Sequence, residues 1–196
     1  MFVQVIQGRV KDADLLRRQM DRWRQEIKPG AKGYLGATGG ATADGQGIAV
    51  VRFESEAAAR ANSDRPEQGA WWNETEKAYD GQPTFRESSD TELLFDGGSN
   101  DARFVQVMQG KVKDPAKFRA WGKEHEGKLK ELRPDLLGGL DVWYPDGSFT
   151  SVAYFTSEAE ARKNEKAMGE DPMMGEYMSH MEGEMTFLDI TEPDID

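Results

Sequence analysis

The segment Phe2-Val-Gln-Val-Ile-Gln-Gly-Arg-Val-Lys-Asp12 returns as Phe104-Val-Gln-Val-Met-Gln-Gly-Lys-Val-Lys-Asp114, at an offset of 102 residues. The same offset relates Leu35-Gly36 to Leu137-Gly138, Asp44-Gly45 to Asp146-Gly147, and Ser55-Glu56-Ala57 to Ser157-Glu158-Ala159. It still holds at Thr84-Phe85 and Thr186-Phe187. An ungapped recurrence over this distance means one unit written twice, and whatever fold one half adopts the other must adopt as well. The repeats are placed at residues 1–95 and 103–196, with 96–102 as a linker.

Each repeat opens on an extended apolar run, Phe2 to Val10 or Phe104 to Val112, in which Val alternates with Gln as in a buried strand. Asp12 and Asp114 stand where a helix N-cap belongs. Leu15, Leu16, Met20, Trp23 and Ile27 then recur at helical spacing, as do Phe118, Trp121, Leu129 and Leu132. A hairpin follows around Asp44-Gly45 or Asp146-Gly147, because both residue types tolerate the positive φ of a tight turn. Ser55 and Ser157 cap a second helix, Ser157-Glu158-Ala159-Glu160 having the form of a capping box. Pro66 and Pro172 break that helix, and Thr84-Phe85 and Thr186-Phe187 start a last strand. The order β-α-β-β-α-β in both halves is the ferredoxin-like split βαβ unit, an α+β fold, and Asp96-Gly97-Gly98-Ser99-Asn100-Asp101 reads as a flexible linker. A sheet with both helices on one side leaves its other face in need of cover, and a second copy supplies it, which predicts a barrel formed within one chain.

Composition narrows the partners. The formal net charge of −11 repels phosphate backbones and anionic membrane surfaces, so nucleic acid is not expected. The absence of cysteine excludes disulfides, thiolate metal sites and a cysteine nucleophile, and fits a reducing compartment. No signal peptide or membrane anchor is visible, which predicts a cytoplasmic protein without a membrane partner. A homo-oligomer beyond the internal pairing is left open.

On its Phe-Val-Gln-Val opening strand, its Leu-Gly before the hairpin, its Asp-Gly turn and its Phe-x-Ser-Glu-Ala-x-Ala entry to helix two, the chain resembles the dimeric α+β barrel superfamily, and within it the antibiotic-biosynthesis-monooxygenase-like group. The resemblance covers nearly the whole chain twice. It implies two ferredoxin-like units paired through their sheets. Its members include cofactor-independent oxygenases of phenolic polyketides, haem-degrading enzymes, isomerases and proteins without assigned activity, and fold alone does not choose among them.

The haem-degrading relatives look for an amide on the first strand and a tryptophan and a histidine on the second helix. Here Gln4 and Gln106 supply amides, Trp71 and Trp72 lie in repeat 1 without a histidine, and His180 lies in repeat 2 beside Met173 and Met174. Neither half holds the set, so no cofactor is expected, and haem, were it bound, would use His180. Trp71-Trp72 with Met173-Met174, Met168, Met178, Met181 and Met185 suit either a broad apolar pocket or core packing. Gln4 and Gln106 interrupt apolar strands and need partners, a ligand or each other. Asn62 and Asn164 are explained by helix termination or capping. His125, within Lys123-Glu124-His125-Glu126, is read as a solvated residue, and the carboxylates as solvation of polar helix faces. Gly36 to Ala41 fails as a nucleotide loop because it runs into a strand and not a helix.

The reading that follows is a largely apolar, aromatic small molecule bound between the halves, touched by Gln4, Gln106, Trp71, Trp72, Met173, Met174, Tyr177 and His180. The enzymatic form of this reading is a cofactor-independent monooxygenase, in which Gln4, Gln106 or Tyr177 orients a phenol. Its weakness is the proton acceptor, since glutamine is no base at neutral pH. The alternatives are haem binding and a non-catalytic structural or stress-associated barrel.

Overall fold

The computed structural model describes residues 1–196. In chain order the elements are β1 (Phe2–Arg9), α1 (Ala13–Arg22), β2 (Tyr34–Ala41), β3 (Gln46–Phe53), α2 (Glu56–Ser63), α3 (Pro66–Thr75), β4 (Thr84–Ser88) and β5 (Thr91–Leu94). The second copy runs β6 (Phe104–Lys111), α4 (Pro115–Leu132), β7 (Leu136–Trp143), β8 (Ser148–Phe155), α5 (Glu158–Gly169), α6 (Pro172–His180), β9 (Thr186–Ile190) and β10 (Asp194–Ile195). A π-helical turn, Trp23–Ile27, extends α1.

The signals read from the sequence form the elements they mark. Asp12 accepts from the Leu15 amide at 2.8 Å and Asp114 from the Lys117 amide at 3.1 Å. Ser55 and Ser157 cap α2 and α5 in the same way, while Glu160 turns to Lys163 instead of closing a capping box. Pro66 and Pro172 occupy first-turn positions of α3 and α6, where the missing amide costs nothing. Gly45 and Gly147, with φ of 86° and 80°, make the hairpin turns.

Each copy thus builds an antiparallel sheet, in the order β10-β2-β3-β1-β4 in one unit and β5-β7-β8-β6-β9 in the other. Leaving aside β10 and β5, the four strands β2-β3-β1-β4 and β7-β8-β6-β9 have the ferredoxin-like order. The units differ from the sequence halves: unit 1 is Met1–Thr91 with Asp194–Asp196, and unit 2 is Glu92–Pro193. The difference arises from a short fifth strand in each repeat, since β10 pairs with Gly39 and Thr38 of β2, and β5 flanks β7. The Leu-Gly motif makes room for it. A Cβ on Gly138 would lie 1.9 Å from the Gly97 oxygen, and one on Gly36 would lie 2.4 Å from the Asp196 oxygen. Only glycine admits so close a backbone. The stretch read as a flexible linker is accordingly turned and partly packed, with the Gly97 amide donating to the Leu94 oxygen at 3.1 Å and Ala102 buried.

In unit 2 strand alternation separates two faces. Val105, Val107, Leu140, Val142 and Val152 are buried on one. Gln106, Met108, Asp141, Trp143, Phe149, Ser151 and Ala153 share the other, as the register pairs Gln106 with Ala153, Met108 and Asp141 with Ser151, and Trp143 with Phe149. This second face carries the site.

Candidate functional site

A cavity of about 720 Å³ lies within unit 2, between that sheet face and helices α4, α5 and α6. Its volume falls in the roughly 300–1,000 Å³ range of small-molecule pockets. The sequence reading put the ligand between the halves, whereas this cavity belongs to unit 2. Its walls are aromatic and thioether: Phe118 and Trp121 from α4, Trp143 and Phe149 from the sheet, and Met108, Met168, Met173, Met174, Met178 and Met185. Phe118 joins the aromatic walls, stacked near Trp121 at 6.0 Å between centroids and edge-on to Trp143 and Tyr177.

Polar groups interrupt these walls. Asp141 on β7 faces the cavity and is hemmed in by protein, hydrogen-bonded to the Ser151 hydroxyl opposite. Burial pushes its carboxyl up to about 6; the nearby Glu92 carboxylate adds to the rise, while the Ser151 hydroxyl and the Arg119 guanidinium oppose it. Arg119 lies over the Trp143 ring at 4.8 Å and pairs with Glu92 at 3.2 Å. Tyr177 on α6 is raised, first by burial and then by the charge of Asp141, so its phenol stays protonated. Its hydroxyl reaches only the Met185 sulfur, at 3.9 Å.

Of the residues named from the sequence, Gln106, Met173, Met174 and Tyr177 line this cavity. Gln4, Trp71 and Trp72 lie in unit 1. Gln4 donates to Glu87 at 2.7 Å, Trp71 is buried with its indole on the Gln19 oxygen, and Trp72 packs edge-on to Phe85. The two glutamines do not bond each other: Gln106 donates to Asp189 at 2.9 Å, the repeat of the Gln4–Glu87 bond. Arg60 also donates to Glu87 and Arg162 to Asp189, each arginine lying over a phenylalanine ring, Phe2 or Phe104, so in both units the carboxylate is the centre of a structural triad with the amide and the guanidinium.

His180 ends α6, packed against Phe118 and Trp121 at 5.7 and 5.6 Å, and is not among the side chains lining the cavity. His125 is, contrary to the solvated reading: it stacks on Trp121 at 4.6 Å because it follows Trp121 by one helical turn. Its Nδ1 lies 2.9 Å from the Trp121 oxygen and its Nε2 3.6 Å from Glu176. With His180 outside the cavity and both His125 nitrogens turned to protein oxygens, these residues do not fit an axially held haem. Asn62 and Asn164 also differ from the capping reading, since Asn62 accepts from Arg65 and Asn164 donates to the buried carboxylate of Asp135.

The residue that sequence reasoning missed is Asp141. Its signal was present, a carboxylate between Leu140 and Val142 in a strand, on the same face as Trp143. By composition alone it is indistinguishable from the acids that solvate the polar helix faces.

No protein-family model and no curated protein matches the chain. Solved structures do. A candidate monooxygenase from Fusobacterium nucleatum subsp. nucleatum superimposes with a TM-score of 0.77 at 10% identity, over 100% of this chain and 93% of that one. Another, from Lactobacillus acidophilus NCFM, gives 0.71 at 10% identity over 100% and 98%. The chain shares the fold of these proteins, with two ferredoxin-like units in one chain. An anthrone oxidase-like protein shares the fold at a TM-score of 0.62 and 8% identity, over 99% of this chain and 92% of that one. No helix is long and apolar enough to cross a membrane.

Proposed function

We propose that unit 2 binds a flat, largely apolar, hydroxylated aromatic molecule of about three fused rings, and that the chain oxygenates it without a cofactor. The observation that carries this reading is the cavity between the β6–β8 face and α4–α6. Its aromatic and methionine walls suit apolar burial, at roughly 25 cal/mol per Å² removed from water. Asp141 and Ser151 on the sheet wall and Tyr177 on α6, close enough to feel the charge of Asp141, offer polar groups to orient a hydroxyl. Methionine adapts to an irregular outline, and Phe118 and Trp121 offer flat contacts.

The kinship in fold with candidate monooxygenases and with an anthrone oxidase-like protein supports the choice of reaction class. An electron-rich phenol or anthrone can itself reduce dioxygen once it has lost a proton, so the protein need only bind, orient and deprotonate it.

The test is equilibrium titration of the protein with 1,8-dihydroxyanthraquinone, an unreactive probe of this shape, followed by tryptophan quenching. The same preparation is then given 1,8-dihydroxyanthrone in an oxygen electrode. Gly122 on α4 lines the cavity and a Cβ there meets nothing within 4 Å, so a side chain can start there and Gly122→Phe adds bulk at the cavity wall. The expected result is micromolar binding in the parent, at least about tenfold weaker in Gly122→Phe, with oxygen uptake dependent on the protein. Equal binding by both proteins would place the probe elsewhere, and binding without oxygen uptake would reduce the function to binding.

A further inference from the structure

We propose that Asp141 is the proton acceptor of the unit 2 cavity, with Ser151 as its positioning residue. This rests on the reading of that cavity as the site of an oxidisable aromatic acid, and it names the group that sequence reasoning could not find.

The geometry selects Asp141 by what surrounds it. Strand alternation places it on the cavity face, and the register sets it directly against Ser151, whose hydroxyl holds the carboxylate. The other polar walls are unsuited to accept a proton. Gln106 is an amide whose nitrogen is committed to Asp189. Tyr177 is held protonated and so can donate to a substrate oxygen but not take a proton from it. The two nitrogens of His125 address Trp121 and Glu176. Glu92 on β5 is engaged by Arg119 and Lys123 of α4, at 3.2 and 3.5 Å. Glu165 of α5 is engaged by Arg162 at 3.2 Å, Glu126 of α4 is exposed to water, and Arg133 is a cation held by Asp135.

Burial and the Glu92 carboxylate make Asp141 a stronger base than an ordinary aspartate, while Ser151 and Arg119 keep it ionised at neutral pH. That is the condition a general base must meet. At the matching register of unit 1, Gly39 faces Ala49, so the acceptor belongs to unit 2.

The step balances with dioxygen as oxidant. A C–H bond of the anthrone methylene breaks, its electron pair enters the ring system as an enolate, and the proton passes to a carboxylate oxygen of Asp141. The enolate gives one electron to dioxygen, and the carbon radical and superoxide join in a C–O bond. The peroxide anion recovers the proton from Asp141. Loss of the second methylene proton with cleavage of the O–O bond leaves a ketone and water. One methylene and one dioxygen are consumed, one oxygen atom stays in the ketone, and the other leaves as water with both methylene hydrogens.

Proton removal can be read without oxygen. Under anaerobic conditions in deuterium oxide, exchange of the methylene protons of 1,8-dihydroxyanthrone is followed by NMR for the parent, Asp141→Asn and Ser151→Ala. Binding of 1,8-dihydroxyanthraquinone and circular dichroism report whether each variant is folded. The parent should accelerate exchange along a limb that rises with pH through about 6 and then levels. Asp141→Asn should bind the anthraquinone, lose at least about 100-fold in exchange and lose the limb. Ser151→Ala should move the limb to higher pH, because the hydroxyl bond that favours the carboxylate is gone. Exchange in Asp141→Asn within about twofold of the parent, or a parent that binds the anthraquinone without accelerating exchange, overturns the proposal and leaves the binding reading standing. A parent that does not bind the anthraquinone removes the binding reading, and the proposal with it. Exchange without oxygen uptake keeps Asp141 as acceptor and defeats the oxygenase reading alone.

Discussion

Asp141 on β7 and Ser151 on β8 are opposed across the unit 2 sheet at the register where unit 1 has Gly39 and Ala49. The duplication has therefore diverged in chemistry at a point where its backbone has not, and the consequences can be measured.

The first concerns stability. The folded-state pKa of Asp141 is raised from an ordinary 3.8 to about 6, so the folded protein prefers the carboxyl protonated. The stability this group allows is full below about pH 4 and is lost as pH rises through 6, up to about 3 kcal/mol by pH 8. Asp141→Asn should thus stabilise the protein in urea at pH 8 far more than at pH 4. A gain independent of pH would mean that the carboxyl is not buried as described.

The second concerns the glycine before the hairpin. Gly138→Ala sets a methyl against the Gly97 backbone, and Gly36→Ala does so against Asp196 in a residue whose φ is +134°. Each should cost about 2–3 kcal/mol or dislodge the short edge strand. Gly122→Ala, with open space around it, should instead gain up to about 1 kcal/mol in helix propensity. Urea denaturation of the three variants checks this ordering.

A third follows from the buried ion pair of unit 2. Arg133 and Asp135 are 7% and 3% exposed and meet at 2.8 Å, with Asn164 on the same carboxylate. Removing one partner strands the other charge, so Arg133→Ala should cost about 3–5 kcal/mol, while Arg17→Ala, whose exposed ion pair with Asp14 reaches water, should cost under about 1 kcal/mol. Comparable losses in the two variants would contradict this picture.

These elements also show what could be read from the sequence. The repeat offset, the Asp and Ser caps, the Asp-Gly turns and the prolines that divide the second helix each carry a local signal, and each appears where that signal put it. The methionines around Met173-Met174 were legible as a pocket wall, apart from Met181, which is buried with Val112, Trp143 and Phe149. The fifth strands were not legible, because Asp194–Ile195 is too short to show alternation and is held by a glycine 158 residues upstream of Asp194. Asp141 and His125 were visible by period, as strand and helix neighbours of Trp143 and Trp121, but a charged residue is ordinarily a solvated one. What lifts these two out of that class is tertiary, the cavity they face.

The central claim is that an aromatic molecule occupies the unit 2 cavity, and the chain's nine methionines report on it directly. With methyl-13C methionine and 1,8-dihydroxyanthraquinone, the resonances of Met108, Met168, Met173, Met174, Met178 and Met185, which line the cavity, should shift by ring current. Those of Met1, Met20 and Met181 should stay nearly still. Shifts concentrated at Met1 or Met20, or none at the cavity methionines while the probe is bound, would contradict the account.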